Sequence, residues 1–108
     1  MKDSTVNLST QRDVHVVLTE PGCVRGNHVH QHGTECMTVY GPALVRVQEG
    51  DTLTELAVPI GDIVRITIPA GVAHAVKNTG DRPNLLIVFN TDAYNPKQPD
   101  VHSVALFD

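Results

Sequence analysis

The sequence predicts an all-β fold, a sandwich or barrel of short antiparallel strands, on three observations. No segment holds a helical period, while several alternate apolar and polar residues with a period of two. Turn signals recur at the roughly eight-to-twelve-residue spacing of such folds, among them Pro21-Gly22, Gly50-Asp51, Pro59-Ile60-Gly61-Asp62 and Asn78-Thr79-Gly80-Asp81. Tryptophan is absent and aromatic residues make up 4% of the chain, so the core must be built from Val, Leu and Ile, which favour strands.

Taken in order, Thr5 to Leu8 and Val14 to Thr19 read as short strands at an N-terminal edge, the second stopping at Pro21-Gly22. Gly22 to Gly41 carries most of the chemistry and is treated below. Ala43 to Gln48 sets Leu44, Arg46 and Gln48 against Val45 and Val47, and Gly50-Asp51 then turns a hairpin into Thr52 to Val58. In Ile63 to Ile68, Val64, Ile66 and Ile68 share one face, and Arg65 and Thr67 share the other. The run Leu85 to Phe89 inside Asn84 to Asn90 is continuous enough to predict a central strand buried on both faces. A Pro- and Asn-rich stretch, Asn90 to Asp100, reads as a long loop or lid before a last apolar piece, Val101 to Phe107.

A length of 108 residues supports one domain, residues 1–108, with a single core. A net charge of −4 without a basic run argues against nucleic acid or an anionic membrane as partner, which leaves a small-molecule substrate. No apolar run approaches a membrane span, and Met1-Lys2-Asp3-Ser4-Thr5 lacks a signal-peptide core, so a cytoplasmic protein is expected. Cys23 and Cys36 do not form a disulfide framework; reduced thiols are expected, either as small buried hydrophobes or as a thiol serving the site. An exposed edge such as Thr5 to Leu8 predicts pairing with a second copy, hence a homodimer.

His28 and His30 are two apart, so on a strand both imidazoles leave the same face. Glu35 follows after Gln31-His32-Gly33-Thr34, where Gly33 suits a turn or bulge that restores the inward direction. His74 stands just past the turn Pro69-Ala70-Gly71 at the start of an apolar strand. Three imidazoles and a carboxylate suit one borderline divalent ion, Zn(II) first, then Fe(II), Mn(II), Ni(II) or Cu(II), with coordination positions left open.

These two segments resemble the paired motifs of the cupin superfamily. Gly22, His28, His30 and Glu35 match the first motif, and Pro69, Gly71, His74 and Asn78 the second. The departures lie in turns: Gly41 follows Glu35 after five residues rather than six, and seven residues rather than five separate Gly61 from Pro69. Arg25-Gly26-Asn27-His28-Val29-His30 with Tyr94-Asn95-Pro96-Lys97-Gln98-Pro99-Asp100 is similar to the C-terminal cupin domain of CapF-type capsular-polysaccharide enzymes. The resemblance implies a double-stranded β-helix, or jelly-roll β-barrel, with the metal set in its interior. It also implies epimerisation at C3 of a nucleotide-linked 4-keto-6-deoxy sugar, which in that family a preceding reductase domain then reduces; these 108 residues hold no such domain, and a separate enzyme could take that step.

Epimerisation beside a ketone needs a Lewis acid and a base. The candidate bases are His32, Tyr40 and Tyr94; His32 titrates in the useful range, and it also reads as an exposed turn histidine. Arg65 would bind a substrate anion if its face is the interior, and otherwise faces solvent. Met37 and Val39, two and four residues after Glu35, are the natural apolar lining of the pocket. Asn27 and Asn78 are assigned to turn fixing, and Arg25 and Arg46 to the surface. The same ligands around Fe(II) would suit a small-molecule dioxygenase, and a non-catalytic sugar-binding module is the third class.

Overall fold

The computed structural model describes residues 13–91 and 101–107. These contain the strands β1 (Asp13–Thr19), β2 (Val24–His30), β3 (Glu35–Tyr40), β4 (Ala43–Glu49), β5 (Thr52–Val58), β6 (Ile63–Ile68), β7 (Ala73–Asn78), β8 (Asn84–Asn90) and β9 (Val101–Ser103), and no helix. The predicted edge Thr5 to Leu8 and the loop from Asp92 to Asp100 lie outside the described residues.

Two antiparallel sheets face each other, one ordered β1-β8-β3-β6 and the other β5-β4-β7-β2-β9. Successive strands mostly change sheet, the jelly-roll pattern the resemblance implies. Inward residues of both sheets, Met37, Val39, Ala43, Val45, Val58, Ile68, Val76, Leu86 and Val88, form the core with Val72. Burial of each larger side chain stabilises the fold by about 1.5–3 kcal/mol, which an aliphatic core of this size supplies without tryptophan.

β8 is central, between β1 and β3, as its apolar run predicts. Its burial, however, alternates: Leu86 and Val88 are inside while Leu85 is 44% exposed, because one face of that sheet is uncovered among the described residues. That outer face also carries Val14, Leu18, Ile63 and Val16, the last 68% exposed. The five-stranded sheet differs. Its outer face, with Ala73 and Ala75 buried, is covered by the segment after β9, where Leu106 and Phe107 pack with Val24, Val29, Leu44 and Val104.

The sandwich is closed at one end by Asn78, whose Nδ2 donates to the carbonyls of Thr19 (2.9 Å) and Arg82 (2.8 Å) while its Oδ1 accepts from Gly80 N–H (2.9 Å). Gly41 lies at the same end, where its N–H donates to Asp62 O at 2.9 Å and a Cβ would fall 1.8 Å from Pro59 O. Only glycine permits that approach of two turns. The other end holds the histidines.

Candidate metal centre

Three ligands come from the five-stranded sheet and one from its partner. His28 and His30 project inward from β2, and His74 projects inward from β7 as the direct cross-strand neighbour of His28. Glu35 is the first residue of β3 in the opposite sheet. The break from Gln31 to Thr34 therefore does something other than the sequence suggests. It carries the chain from one sheet to the other, so Glu35 faces the histidines across the interior rather than continuing their strand.

The four ligand atoms lie within 4.8 Å of one another, a spread close to twice a metal–ligand bond of about 2.1 Å. Glu35 Oε2 is 2.5 Å from His74 Nε2, 2.9 Å from His30 Nε2 and 3.8 Å from His28 Nε2. The His30 and His74 rings stack with centroids 5.6 Å apart, and His28 stands edge-on to both. His74 is 0% exposed and Glu35 4%, with His30 buried and His28 half-buried.

A single carboxylate oxygen cannot serve three imidazoles with good alignment. Accordingly, Nε2 of His28 and of His74 are buried without a hydrogen-bond partner, the latter despite its close approach to Glu35. Buried, unpaired nitrogens that converge on one point are the donor set a divalent ion would satisfy, so these residues fit the metal that their spacing implies. The Nδ1 of His74 lies 3.4 Å from Val72 O, a long contact that favours the tautomer with its Nε2 lone pair turned to the centre. Burial works to raise the Glu35 carboxyl. The imidazoles of His28, His30 and His74 gathered round its Oε2 outweigh it and hold Glu35 well below the usual carboxylate range.

The remaining candidates are dispersed. Met37 is 2% exposed and lies one step further along the inner face from Glu35, as a member of the aliphatic core. Tyr40 is at the opposite end of β3 and on its outer face, so it does not reach the ligands. Arg65 is exposed on the outer face of β6, because Ile66 and Ile68 take the inner one; the inward alternative is corrected. His32 is exposed in the β2–β3 connection, and Tyr94 lies outside the described residues. Cys23 is exposed and Cys36 half-buried on an outer face, so neither is the buried hydrophobe expected.

Three residues carry more than the sequence signalled. Asn90, the Cα partner of Glu35 on β8, has a buried Oδ1 with no partner. Its only signal was its place at the end of an apolar run. Arg46, assigned to the surface, donates from Nε to Glu55 at 2.6 Å and from Nη1 to Leu106 O at 2.8 Å, with its guanidinium 4.2 Å from the centre of the Phe107 ring. Asn27 has φ 56° within β2, and its side chain holds the C-terminal segment.

Residues 4–102 match the family described as the polysaccharide biosynthesis C-terminal domain. The chain belongs to this family. Over 35 residues it is 49% identical to the spore coat polysaccharide biosynthesis protein SpsL of Bacillus subtilis, a stretch covering 32% of this chain and 23% of that protein. It is also similar to the capsular polysaccharide assembling protein CapF from Staphylococcus aureus, with 28% identity and a TM-score of 0.78 over 87% of this chain and 27% of that one. Set beside SpsL and CapF, the matched region spans about a quarter of their length. The dTDP sugar isomerase from Desulfovibrio desulfuricans G20 shares 18% identity at a TM-score of 0.74, covering 96% of this chain and 71% of its own. ChmJ, a 3'-monoepimerase from Streptomyces bikiniensis crystallised with dTDP-quinovose, shares 19% at 0.74, covering 91% and 54%. The family member described here thus has the cupin fold of these sugar isomerases and epimerases.

Proposed function

We propose that the chain is a metal-dependent cupin that epimerises or isomerises a nucleotide-linked keto-deoxy sugar, or a similar small ketone, at the carbon beside its carbonyl. The observation that carries this reading is the convergence of three imidazoles and Glu35 on one buried point with two Nε2 atoms unpartnered. Likeness to dTDP sugar isomerase and to ChmJ supplies the substrate class.

His28, His30, Glu35 and His74 would hold the ion. When bound, a divalent ion supplies Lewis acidity for the carbonyl oxygen and for the negative charge that develops there. The imidazoles around Oε2 favour the ionised carboxylate of Glu35, which suits a ligand rather than a base. Removal of the proton beside the carbonyl falls to a residue that is not a ligand, His32 in the β2–β3 connection or Tyr94. Asn90 Oδ1, buried beside Glu35, is an acceptor suited to a substrate hydroxyl. Met37, buried two residues on from Glu35, would exclude water from the floor of the pocket, while Val39 packs towards the Asn78 end.

The protein is read as a cytoplasmic homodimer, a state supported by the apolar outer face of the four-stranded sheet. To test the reaction, protein loaded with Zn(II) under anaerobic conditions is incubated in deuterated water with a nucleotide-linked 4-keto-6-deoxy sugar. Deuterium should enter the carbon next to the carbonyl without oxygen. Turnover that requires Fe(II) and consumes O2 would replace this reading by the dioxygenase one.

A further inference from the structure

His28 faces the interior only because β2 contains one extra residue. In the pairing of β2 with β7, Gly26 lies opposite Ala75 and His28 opposite His74, so two residues separate on one strand what one step separates on the other. Asn27 is the inserted residue of a β-bulge. Val24 packs in the outer cluster with Ala75 and Phe107, and regular alternation from Val24 would send His28 and His30 outward. Past the bulge the parity is reversed: Val29 joins the outer cluster, and His28 and His30 turn inward.

The bulge has a backbone cost that its residues are chosen to meet. Gly26 and Asn27 have φ 93° and 56°, a Cβ on Gly26 would fall 2.8 Å from His74 O, and Asn is the non-glycine residue best suited to the left-handed region. Asn27 is then tied down by the far end of the chain. Its Oδ1 accepts from the N–H groups of Leu106 (3.0 Å) and Phe107 (3.1 Å), its Nδ2 donates to Phe107 O (3.3 Å), and its backbone carbonyl accepts from Val104 N–H (2.8 Å). Arg46 fixes the same segment through Leu106 O and the Phe107 ring. The segment covers Ala73 and Ala75, the two neighbours of His74, from outside.

We infer that Asn27 is a positioning residue for His28, and that the C-terminal segment Val104–Phe107 is the clamp that holds it, so that metal affinity is set by the end of the chain on the sheet's outer face. This rests on the metal-site reading above. The clamp holds the bulge itself, next to His28, whereas it meets His74 only through the apolar cover over Ala73 and Ala75 and His30 only through the pairing of β9 with β2, so loosening it should weaken His28 first.

The test is a Co(II) titration followed by visible absorption, with thermal melts of the metal-free protein alongside. Asn27→Gly keeps the left-handed backbone without strain and removes only the side-chain clamp. We expect it to fold and to bind Co(II) roughly 10- to 100-fold more weakly, the range for lost outer-sphere support, with an altered ligand-field spectrum. Removal of residues 104–108 breaks the same side-chain bonds together with the Val104 N–H bond and the Arg46 contacts, so it should weaken Co(II) binding at least as much, and Asn27→Gly added to it should weaken binding no further. Should the shortened chain fail to fold, Asn27→Gly carries the test alone. Co(II) affinity within threefold of wild type and an unchanged spectrum in folded Asn27→Gly would overturn the inference while leaving the metal site standing. His30→Ala separates the two ideas: wild type and His30→Ala that bind Co(II) equally would bring down the site itself, and the inference with it.

Discussion

Replacing His74 with alanine tests the site where its geometry is tightest. His74 is 0% exposed, its Nε2 is 2.5 Å from Glu35, and it would supply one ligand of four. Four-ligand zinc sites bind with about 10–16 kcal/mol at neutral pH, which is ~3 kcal/mol per ligand and on the order of 100-fold in affinity. At a free Zn(II) concentration 100 times the wild-type Kd, binding adds about 2.7 kcal/mol of stability; a 100-fold weaker site at that concentration adds ~0.4 kcal/mol. For a domain of this size these correspond to metal-induced Tm rises of about 10 °C and 2 °C. The metal-free variant should lose less than a buried ring normally costs, about 3–5 kcal/mol, because an unpartnered Nε2 worth ~1–3 kcal/mol leaves with it. The assay is a pair of thermal melts, with chelator and with buffered Zn(II). A His74→Ala variant that folds and keeps the full wild-type rise would refute the assignment of His74 as a ligand.

Two further substitutions probe the surroundings. Asn90→Leu removes a buried acceptor that has no partner, so the metal-free Tm should hold or rise while KM for the keto sugar rises about tenfold at unchanged metal content; a Tm lower by several degrees would show that Oδ1 already has a structural partner. Val16→Asp puts a charge at the most exposed valine of the apolar face, and sedimentation at micromolar concentration should show a dimer become a monomer; a wild-type monomer would remove the dimer from the proposal.

The fold was legible in the sequence where local chemistry decides it. Turn residues and alternation marked the bounds of β4, β5 and β6 to within a residue or so, because a turn dipeptide and a period of two are properties of a few neighbouring residues. The grouping of His28, His30, Glu35 and His74 was legible for the same reason: two lie on one strand, and the others follow turns with recognisable glycines. Sheet partnership was not. Nothing within Gln31 to Thr34 says that the chain is leaving one sheet for the other, so the opposed placement of Glu35 had to come from the tertiary structure. Arg46 and Asn27 were under-read because their partners, Leu106 and Phe107, are remote in sequence, and a hydrogen bond to a distant backbone group leaves no periodicity behind. The exposed face of β8 was misjudged on a related ground: a continuous apolar run states only that water is disfavoured, not which surface covers it.

The distribution of ligands between the sheets has a mechanical consequence. With three candidate ligands on one sheet and Glu35 on the other, the set is not complete until the sandwich has closed, and an ion held there would stabilise the pairing of the sheets as well as the site. The opposite end is closed without metal, by Asn78 and its three hydrogen bonds. The aliphatic core lies between, so loss of metal should loosen the ligand end while the Asn78 end stays packed. The end that carries the candidate metal centre is therefore the end that can open. Such a division would suit the proposed reaction, since the energy that holds the fold resides mainly in the core and at the Asn78 end, away from the candidate metal centre.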